Sequence, residues 1–180
     1  VYSQSTSLVT ADVAHIIVMY GHSLKHLVIG RNVLITSDCV CSLLSHAQRL
    51  HTVELISIRG LRLQSVVRSS VRKLLIRRVD VSNVLETTQF ETSFPFLTHL
   101  HLPNTPYRRV FLENPIALLN RIQHLEECEF QVPTVSAHGG AGLHHTANSI
   151  ADASGIANIA GFEFDESTFC FRRSVSYTHL

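Results

Sequence analysis

Histidine and cysteine are the residues of this chain best suited to metal chemistry, and 12 of the 180 residues are histidine. Two groupings bring such residues close in sequence: His138 with the pair His144 and His145, and Cys39 with Cys41. Zinc sites commonly use spacings such as Cys-x-x-Cys or His-x-x-Glu-His, which aim the ligands at one point. Neither spacing occurs here, and cysteines two positions apart on a helix face apart. The sequence therefore predicts no metal site.

The glycine-rich segment 139–142 has the composition of a phosphate-binding loop but not its context. Such a loop follows a strand and ends in Lys-Ser or Lys-Thr, whose side chains reach the phosphates and the magnesium ion. Here Leu143 and His144 follow the glycines. No serine lies in the Gly-x-Ser-x-Gly context that exposes a nucleophile. These motifs predict no catalytic residue, no cofactor and no enzymatic activity.

Basic side chains dominate the middle of the chain, where no acidic residue lies between Glu54 and Asp80. One interpretation is an electrostatic patch that attracts an acidic segment of a protein partner. The other is a set of solvated charges with no partner. Nucleic acid is not favoured, because the net charge is only +1 and no aromatic residues interleave the arginines. The basic run consists of Arg59, Arg62, Arg68, Arg72, Lys73, Arg77 and Arg78.

A six-residue pattern, L-x-x-L-x-L, recurs along the chain and predicts the strands that position the basic side chains. Residues 24–34 fit the leucine-rich repeat consensus L-x-x-L-x-L-x-x-N-x-L, with Asn32 at the asparagine position. The six-residue core recurs at residues 50–55, 71–76, 97–102 and 125–130, so the starts are 26, 21, 26 and 28 residues apart. Repeats of this class are about 20–29 residues long. We therefore predict five repeats; the alternative is a set of unrelated amphipathic strands in a globular α/β domain.

Helical periodicity fills the gaps between these cores. The segment after Ile35 places apolar residues three and four positions apart, and Thr36, Ser37 or Asp38 can cap its first turn. A second helix is expected at Asp12–Tyr20, ended by Gly21, and a third at Pro115–Arg121. The predicted inward-facing residues are Val40, Leu43, Leu44 and Ala47 in one helix, Val13, Ile16, Ile17 and Tyr20 in another, and Ile116, Leu118 and Leu119 in the third.

Residues 24–55 resemble the cysteine-containing subtype of leucine-rich repeat that is found in F-box substrate receptors. The resemblance lies in Leu-x-x-Leu-x-Ile-x-x-Asn-x-x-Ile-Thr-Ser-Asp, a helix, and then the next core. The chain departs from the subtype at three points: Asn32 replaces the first cysteine, Ser37 separates the Thr-Asp pair, and Ala47 with Gln48 replaces the second cysteine and its neighbour. The resemblance covers residues 11–132 and implies an α/β fold, a leucine-rich-repeat solenoid with a curved parallel sheet on the concave side and helices on the convex side.

The expected domain organisation follows from these segments. Residues 1–132 form the solenoid of about five repeats, which we expect to be an N-terminally truncated fragment because no capping segment precedes the first repeat. Residues 133–158 form a loosely ordered loop, and residues 159–174, with the core Ile159–Phe164, form a degenerate terminal repeat. Residues 175–180 read as a non-native tail.

Composition predicts an intracellular domain that contains no membrane segment. Hydrophobic residues make up 45% of the chain and charged residues 16%, which suits a continuous core. No apolar run approaches the roughly 18 residues of a transmembrane helix. The four cysteines, Cys39, Cys41, Cys128 and Cys170, have no disulfide-framework spacing and predict reduced thiols in a cytoplasmic or nuclear protein.

The residues between the inward leucines of each core predict the function. In a strand they point away from the core, and solenoids of this class bind partners on that concave face. We expect partner binding by Lys73, Arg77, Arg78, His99, His101, Glu127 and Glu129. The resemblance implies the substrate-binding repeats of an F-box-type ubiquitin-ligase receptor, whose adaptor would bind only a region upstream of this chain. The alternatives are a scaffold or immune-type leucine-rich-repeat module, with a nucleotide-binding segment upstream, and a small α/β enzyme.

Overall fold

Short strands and helices alternate along the chain in the computed structural model. It describes residues 6–7, 10–30, 33–79, 84, 88–102, 121–122, 124–130, 162–165 and 170–173. The elements are β1 (Thr6–Ser7), α1 (Thr10–Tyr20), β2 (His26–Ile29), β3 (Val33–Leu34), α2 (Ser37–His46), β4 (Thr52–Ile56), β5 (Lys73–Arg77), α3 (Phe90–Ser93), β6 (His99–Leu102), β7 (Glu127–Phe130), β8 (Phe162–Asp165) and β9 (Cys170–Arg173).

The five predicted cores form five neighbouring strands of one sheet. Within the described residues, the sheet has the order β2-β4-β5-β6-β7-β9-β8, and its first four pairings are parallel. The register places Leu27, Val53, Leu74, Leu100 and Cys128 in one row across the sheet. The α/β class and the parallel alignment of the five cores are therefore confirmed.

The end of the sheet differs from the prediction of a sixth repeat. Strand β9 pairs antiparallel with β7, and β8 pairs antiparallel with β9. The described part of residues 159–174 is therefore an antiparallel pair of strands added beside β7, not a further parallel strand of the kind that the five cores form. The pattern was misleading because Phe162-Glu-Phe164 has the period of any strand with one buried face, whichever way it runs.

Alternate residues of the parallel strands form the core. Eight of the ten predicted core positions are buried: Ile29, Val53, Leu55, Leu74, Ile76, Leu100, Leu102 and Cys128. Leu27 is only half-buried, because β2 lies at the edge of the sheet and has a neighbour on one side. The tenth position, Phe130, has a side chain outside the described part of the structure. The burial of alternate residues leaves the other face of the sheet for polar side chains.

Helix α2 begins and packs as the sequence predicts. Thr36 is the N-cap, and its Oγ1 accepts a hydrogen bond of 3.3 Å from the backbone N–H of Cys39. The predicted inward residues Val40, Leu43, Leu44 and Ala47 are all buried. Both Cys39 and Cys41 are buried as well, so α2 is covered on more than one side. Helix α2 therefore belongs to the core layer on the buried face of the sheet.

Helix α1 matches its predicted span, but its last turn is more open than expected. Val13 is buried, Ile16 and Ile17 pack partly against the core, and Tyr20 is 54% exposed. The prediction that Tyr20 is buried is therefore wrong: no described strand lies beyond β2 to cover it. The helix predicted at Pro115–Arg121 lies, except for Arg121, outside the described residues.

Candidate functional site

The face of the sheet opposite the core carries two rows of side chains, which we call the open face. One row runs across β2, β4, β5, β6, β7 and β9 as His26, Thr52, Lys73, His99, Glu127 and Arg172. The second runs as Val28, Glu54, Leu75, His101, Glu129 and Cys170. Six of the seven predicted partner-binding residues therefore lie on three adjacent strands of this face: Lys73 and Arg77 on β5, His99 and His101 on β6, and Glu127 and Glu129 on β7.

His101 lies between two carboxylates at the centre of this group. Its Nδ1 is 2.8 Å from Oε2 of Glu129, the residue directly opposite it on β7. Its Nε2 is 3.0 Å from Oε1 of Glu127, which lies on β7 two residues before Glu129. Glu127 also approaches Arg172 of β9, with 3.5 Å between Nε and Oε2. We call these four residues the His101 cluster; it joins β6, β7 and β9 by charge contacts.

Burial distinguishes His101 from the rest of the open face. The residue is only 9% exposed, whereas the side chains of Glu127 and Glu129 are 25% and 34% exposed. The Nε2 atom is enclosed and makes no hydrogen bond with any described residue, so its approach to Glu127 is a close contact without hydrogen-bond alignment. The carboxylates cover the imidazole from the solvent side and remain accessible themselves.

The pKa of His101 is lowered from the ordinary histidine value, chiefly because burial penalises the charged ring. Lys73 and His99 lower the pKa further, whereas the carboxylates of Glu129 and Glu127 raise it. The rings of His99 and His101 are 6.2 Å apart, and Nδ1 of His99 lies 2.8 Å from Oγ1 of Thr98. His101 is therefore neutral near pH 7 and surrounded by charges of both signs.

Arg77 and Arg78 lie at the carboxyl end of β5, away from the His101 cluster. The Arg77 Nε approaches Oε1 of Glu54 on β4 at 3.3 Å, so this arginine already has an acidic neighbour. Arg78 follows the strand with φ of 55°, a left-handed conformation, and is exposed. The other members of the basic run do not gather here: Arg59, Arg62 and Arg68 lie in the connection between β4 and β5.

An open depression of about 460 Å³ beside α2 contains nucleophilic residue types. Its geometry does not activate them. Burial raises the pKa of Cys41, and its Sγ donates to the backbone oxygen of Arg62 at 3.3 Å. The Nδ1 of His46 lies 2.8 Å from the backbone oxygen of Ser42, so this nitrogen interacts with the backbone of its own helix. The depression is lined by Asp38, Cys41, Ser42, Ser45, His46, Ser65 and Val67.

The two thiols near the His101 cluster are inert by the same reasoning. Burial raises the pKa of Cys128 well above its ordinary value and that of Cys170 to about 11. Glu127 and Glu129 contribute to both shifts, because nearby negative charge disfavours a thiolate. Thiols rather than thiolates therefore occupy this end of the sheet near neutral pH.

The described part of the chain shows neither a cluster of metal ligands nor a membrane-spanning helix. Nowhere in it do three or more histidine, cysteine, aspartate or glutamate side chains come together as metal ligands. None of its helices has the length and apolar character needed to cross a membrane.

Sequence reasoning did not identify Arg172 and Cys170 as members of the open face. They lie more than 40 residues beyond Glu129, and their strand runs antiparallel to the repeats. The available signal lies in the neighbouring strand β8, where Glu163 and Asp165 alternate with phenylalanines in the pattern of a half-buried strand. That alternation does not specify the strand with which it pairs.

Comparison with protein-family models, with curated proteins and with solved structures found no match to this chain.

Proposed function

We propose that this chain is a leucine-rich-repeat solenoid and that its open face recognises a protein partner. The observation that carries the proposal is that the same hydrogen bonds recur at intervals of one repeat. The backbone oxygens of Lys25, His51, Arg72 and Thr98 each accept two hydrogen bonds, one from the N–H of the residue before the next strand and one from the N–H of that strand's first residue. A set of unrelated strands has no reason to begin each pairing in the same way.

The connecting layer supports the same proposal. Ser37 Oγ donates to the oxygen of Gly60 and accepts from the N–H of Arg62, both at 3.0 Å. Ser45 Oγ accepts from the N–H of Val67 at 2.9 Å. These bonds join residues 22 to 25 positions apart, close to the 21- to 28-residue intervals between the cores. Hydroxyl groups of one connection thus satisfy backbone groups of the next, as in a stack of repeats.

Further along the chain, the connections are linked in the same manner. Ser93 Oγ donates to the oxygen of Val66 at 2.9 Å, over 27 residues. Arg121 forms an ion pair with Glu91, 30 residues away. Each link joins a connection to its neighbour in the chain, so the neighbour-to-neighbour pattern extends to the last parallel strands.

The character of the open face favours recognition of another protein. Its charges are spread across several strands of the sheet and do not converge in an apolar pocket, as the polar groups of small-molecule sites do. Lys73 and Arg77 make the β5 region basic, and Glu127 and Glu129 make the β7 region acidic. Such a surface suits a partner with an acidic segment over β5. The resemblance to F-box substrate receptors suggests substrate capture in ubiquitin ligation, in the cytoplasm or nucleus, with the adaptor bound by a region outside this chain.

Affinity capture with matched arginine variants tests the proposal. The chain and its Arg77→Ala/Arg78→Ala variant are used to recover proteins from lysate at low and moderate salt, with quantification by mass spectrometry. The control is Arg59→Ala/Arg62→Ala, which removes the same charge from exposed positions in the β4–β5 connection. Surface changes of this kind alter the free energy of unfolding by about 0.5 kcal/mol or less, so both variants should remain folded.

We expect specific partners to be lost with the Arg77/Arg78 variant and retained with the control, and to be captured less well as salt rises. Equal recovery by the chain and both variants contradicts recognition through this face. Equal loss with both variants means that net charge, not the position of the arginines, holds the proteins.

A further inference from the structure

His101 presents two ring nitrogens to two carboxylates, and a neutral imidazole has only one N–H. Nδ1 and Glu129 are 2.8 Å apart as a directly opposite pair on adjacent strands. The ring proton is best placed on that nitrogen, where it makes the shorter contact. Nε2 then carries a lone pair that faces Oε1 of Glu127 at 3.0 Å. Two acceptors lie side by side with no proton between them.

This acceptor pair is an unsatisfied polar site. His101 is 9% exposed, and its enclosed Nε2 makes no hydrogen bond with any described residue. Buried acceptors without a donor are costly, so a donor that reaches both atoms is favoured. Glu127 is 25% exposed and can rotate towards solvent, which gives a ligand a way in. A guanidinium group suits the pair because it presents parallel N–H donors.

When His101 is neutral, the charges around it balance, because Glu127 and Glu129 are opposed by Lys73 and Arg172. Facing His101 are Lys73 from β5, His99 from its own strand, and Glu127 and Glu129 from β7. On β9, Arg172 approaches Glu127 at 3.5 Å from an exposed position, and Cys170 is a protonated thiol. Exposed ion pairs of that length contribute little and exchange readily. An incoming cation therefore competes with a weakly held arginine.

We propose that the His101 cluster binds a guanidinium or ammonium group of a partner's basic side chain, and that protonation of His101 closes this site. The inference rests on the proposed function and specifies chemistry for the β7 end of the open face. When His101 takes up a proton, the charged ring attracts the Glu127 carboxylate, whose Oε1 lies 3.0 Å from Nε2, and so occupies that acceptor from within the sheet. The ring then adds positive charge beside both carboxylates. Acidification thus removes the acceptor pair and repels the ligand.

Proton binding and cation binding are reciprocal in this arrangement. A ligand that prefers the neutral imidazole must lower the pKa of His101 by the same free energy with which protonation weakens its own binding. Burial already lowers this pKa below the ordinary value, so the site is open near neutral pH and closes on the acid side of the histidine range.

Nuclear magnetic resonance of histidine-labelled full chain tests the proposal. The probe is N-acetylargininamide at constant ionic strength, and uncharged N-acetylcitrullinamide is its control. The His101 ring signal is assigned by its loss in His101→Gln. We expect binding to weaken as the pH falls through the His101 titration. If the probe binds the neutral form about fivefold more tightly, the low end of ordinary linkage, a saturating probe should lower the His101 titration midpoint by about 0.7 pH units.

Two variants separate the site from the general acidity of the surface. Glu127→Gln should abolish both the pH dependence and the midpoint shift. Glu126→Gln removes the same charge from the adjacent exposed residue and should preserve both. An unchanged or raised midpoint, equal binding of the uncharged analogue, or equal effects of the two variants overturns the proposal. Failure to bind at millimolar probe also overturns it.

These results are distinguishable from those of the capture experiment. The probe titration requires no protein partner, so it can fail while Arg77 and Arg78 still determine capture. Conversely, a pH-dependent arginine site that captures no protein would uphold the His101 chemistry and refute the recognition function.

Discussion

Leu74 and Leu75 are adjacent residues of identical chemistry on opposite faces of the sheet. Leu74 is completely buried between Val53 and Leu100 in the core row, whereas Leu75 is half-exposed on the open face between Glu54 and His101. Replacing each leucine with alanine removes the same atoms from two different environments. The difference in the free energy of unfolding between the two variants therefore tests which face of the sheet is buried and which is open.

The magnitudes follow from burial. A leucine-to-alanine change removes the equivalent of about three methylene groups, at about 0.8 kcal/mol each when fully buried. At Leu74 a cavity forms as well, so the free energy of unfolding should fall by about 3–5 kcal/mol. Leu75 already contacts solvent and leaves no enclosed cavity, so its change should cost about 1 kcal/mol or less. A domain has only about 5–15 kcal/mol of stability, so Leu74→Ala should lose a large fraction of it.

Urea denaturation followed by circular dichroism measures both variants against the parent chain. The comparison requires equal m-values, which show that the surface exposed on unfolding is unchanged. We expect the Leu74→Ala midpoint to fall well below that of Leu75→Ala. Equal losses, or a larger loss for Leu75→Ala, would refute the assignment of faces and with it the open face as the site.

Three further perturbations have calculable directions. Thr36→Ala removes the N-cap bond to Cys39 and should lower the free energy of unfolding by about 1 kcal/mol in the same denaturation assay, while Thr36→Ser should restore most of it. Ser93→Ala leaves the oxygen of Val66 without its donor in a buried layer and should cost about 1–3 kcal/mol, measured in the same way. Because the pKa of His101 is lowered in the folded state, the unfolded chain takes up a proton first as the pH falls below about 6.5. The free energy of unfolding should therefore decline by up to about 1.4 kcal/mol per pH unit below that pH. Denaturations repeated across pH should show that His101→Gln loses this part of the pH dependence.

The sequence predicted the parallel strands because their signal is local. Each core has an alternation of buried and exposed positions within six residues, and the recurrence at similar intervals aligns one core with the next. The cap was narrowed to Thr36, Ser37 or Asp38 for the same reason, since capping depends on residues three positions apart, and the structure shows that Thr36 is the cap. Tyr20 shows the limit of local reasoning: helical periodicity identifies a face but not whether a neighbour exists to cover it.

The character of the site required cross-strand register, which no local pattern contains. Alternation places His101 on the exposed face, yet it is buried because the side chains of β7 lie over it. Arg77 reads as a free basic residue until the register of β4 and β5 brings Glu54 within 3.3 Å. The hairpin that adds Arg172 depends on contacts more than 40 residues apart along the chain. Predicting these features from sequence would require knowledge of three strand pairings together: β6 with β7, β4 with β5, and β7 with β9.

The two binding proposals concern different parts of one surface and respond to different conditions. The basic residues of β5 and the carboxylates of β7 are two strands apart, roughly 10 Å, so one partner segment can span both. Salt weakens contacts to Arg77 and to Glu127 alike, because both are partly exposed and the screening length is about 8 Å in physiological salt. Proton uptake by His101 instead acts first at the β7 end, where its ring contacts Glu127 and Glu129. A partner held by both regions should therefore lose the pH dependence of its binding, but retain most of the salt dependence, when Glu127 alone is made neutral.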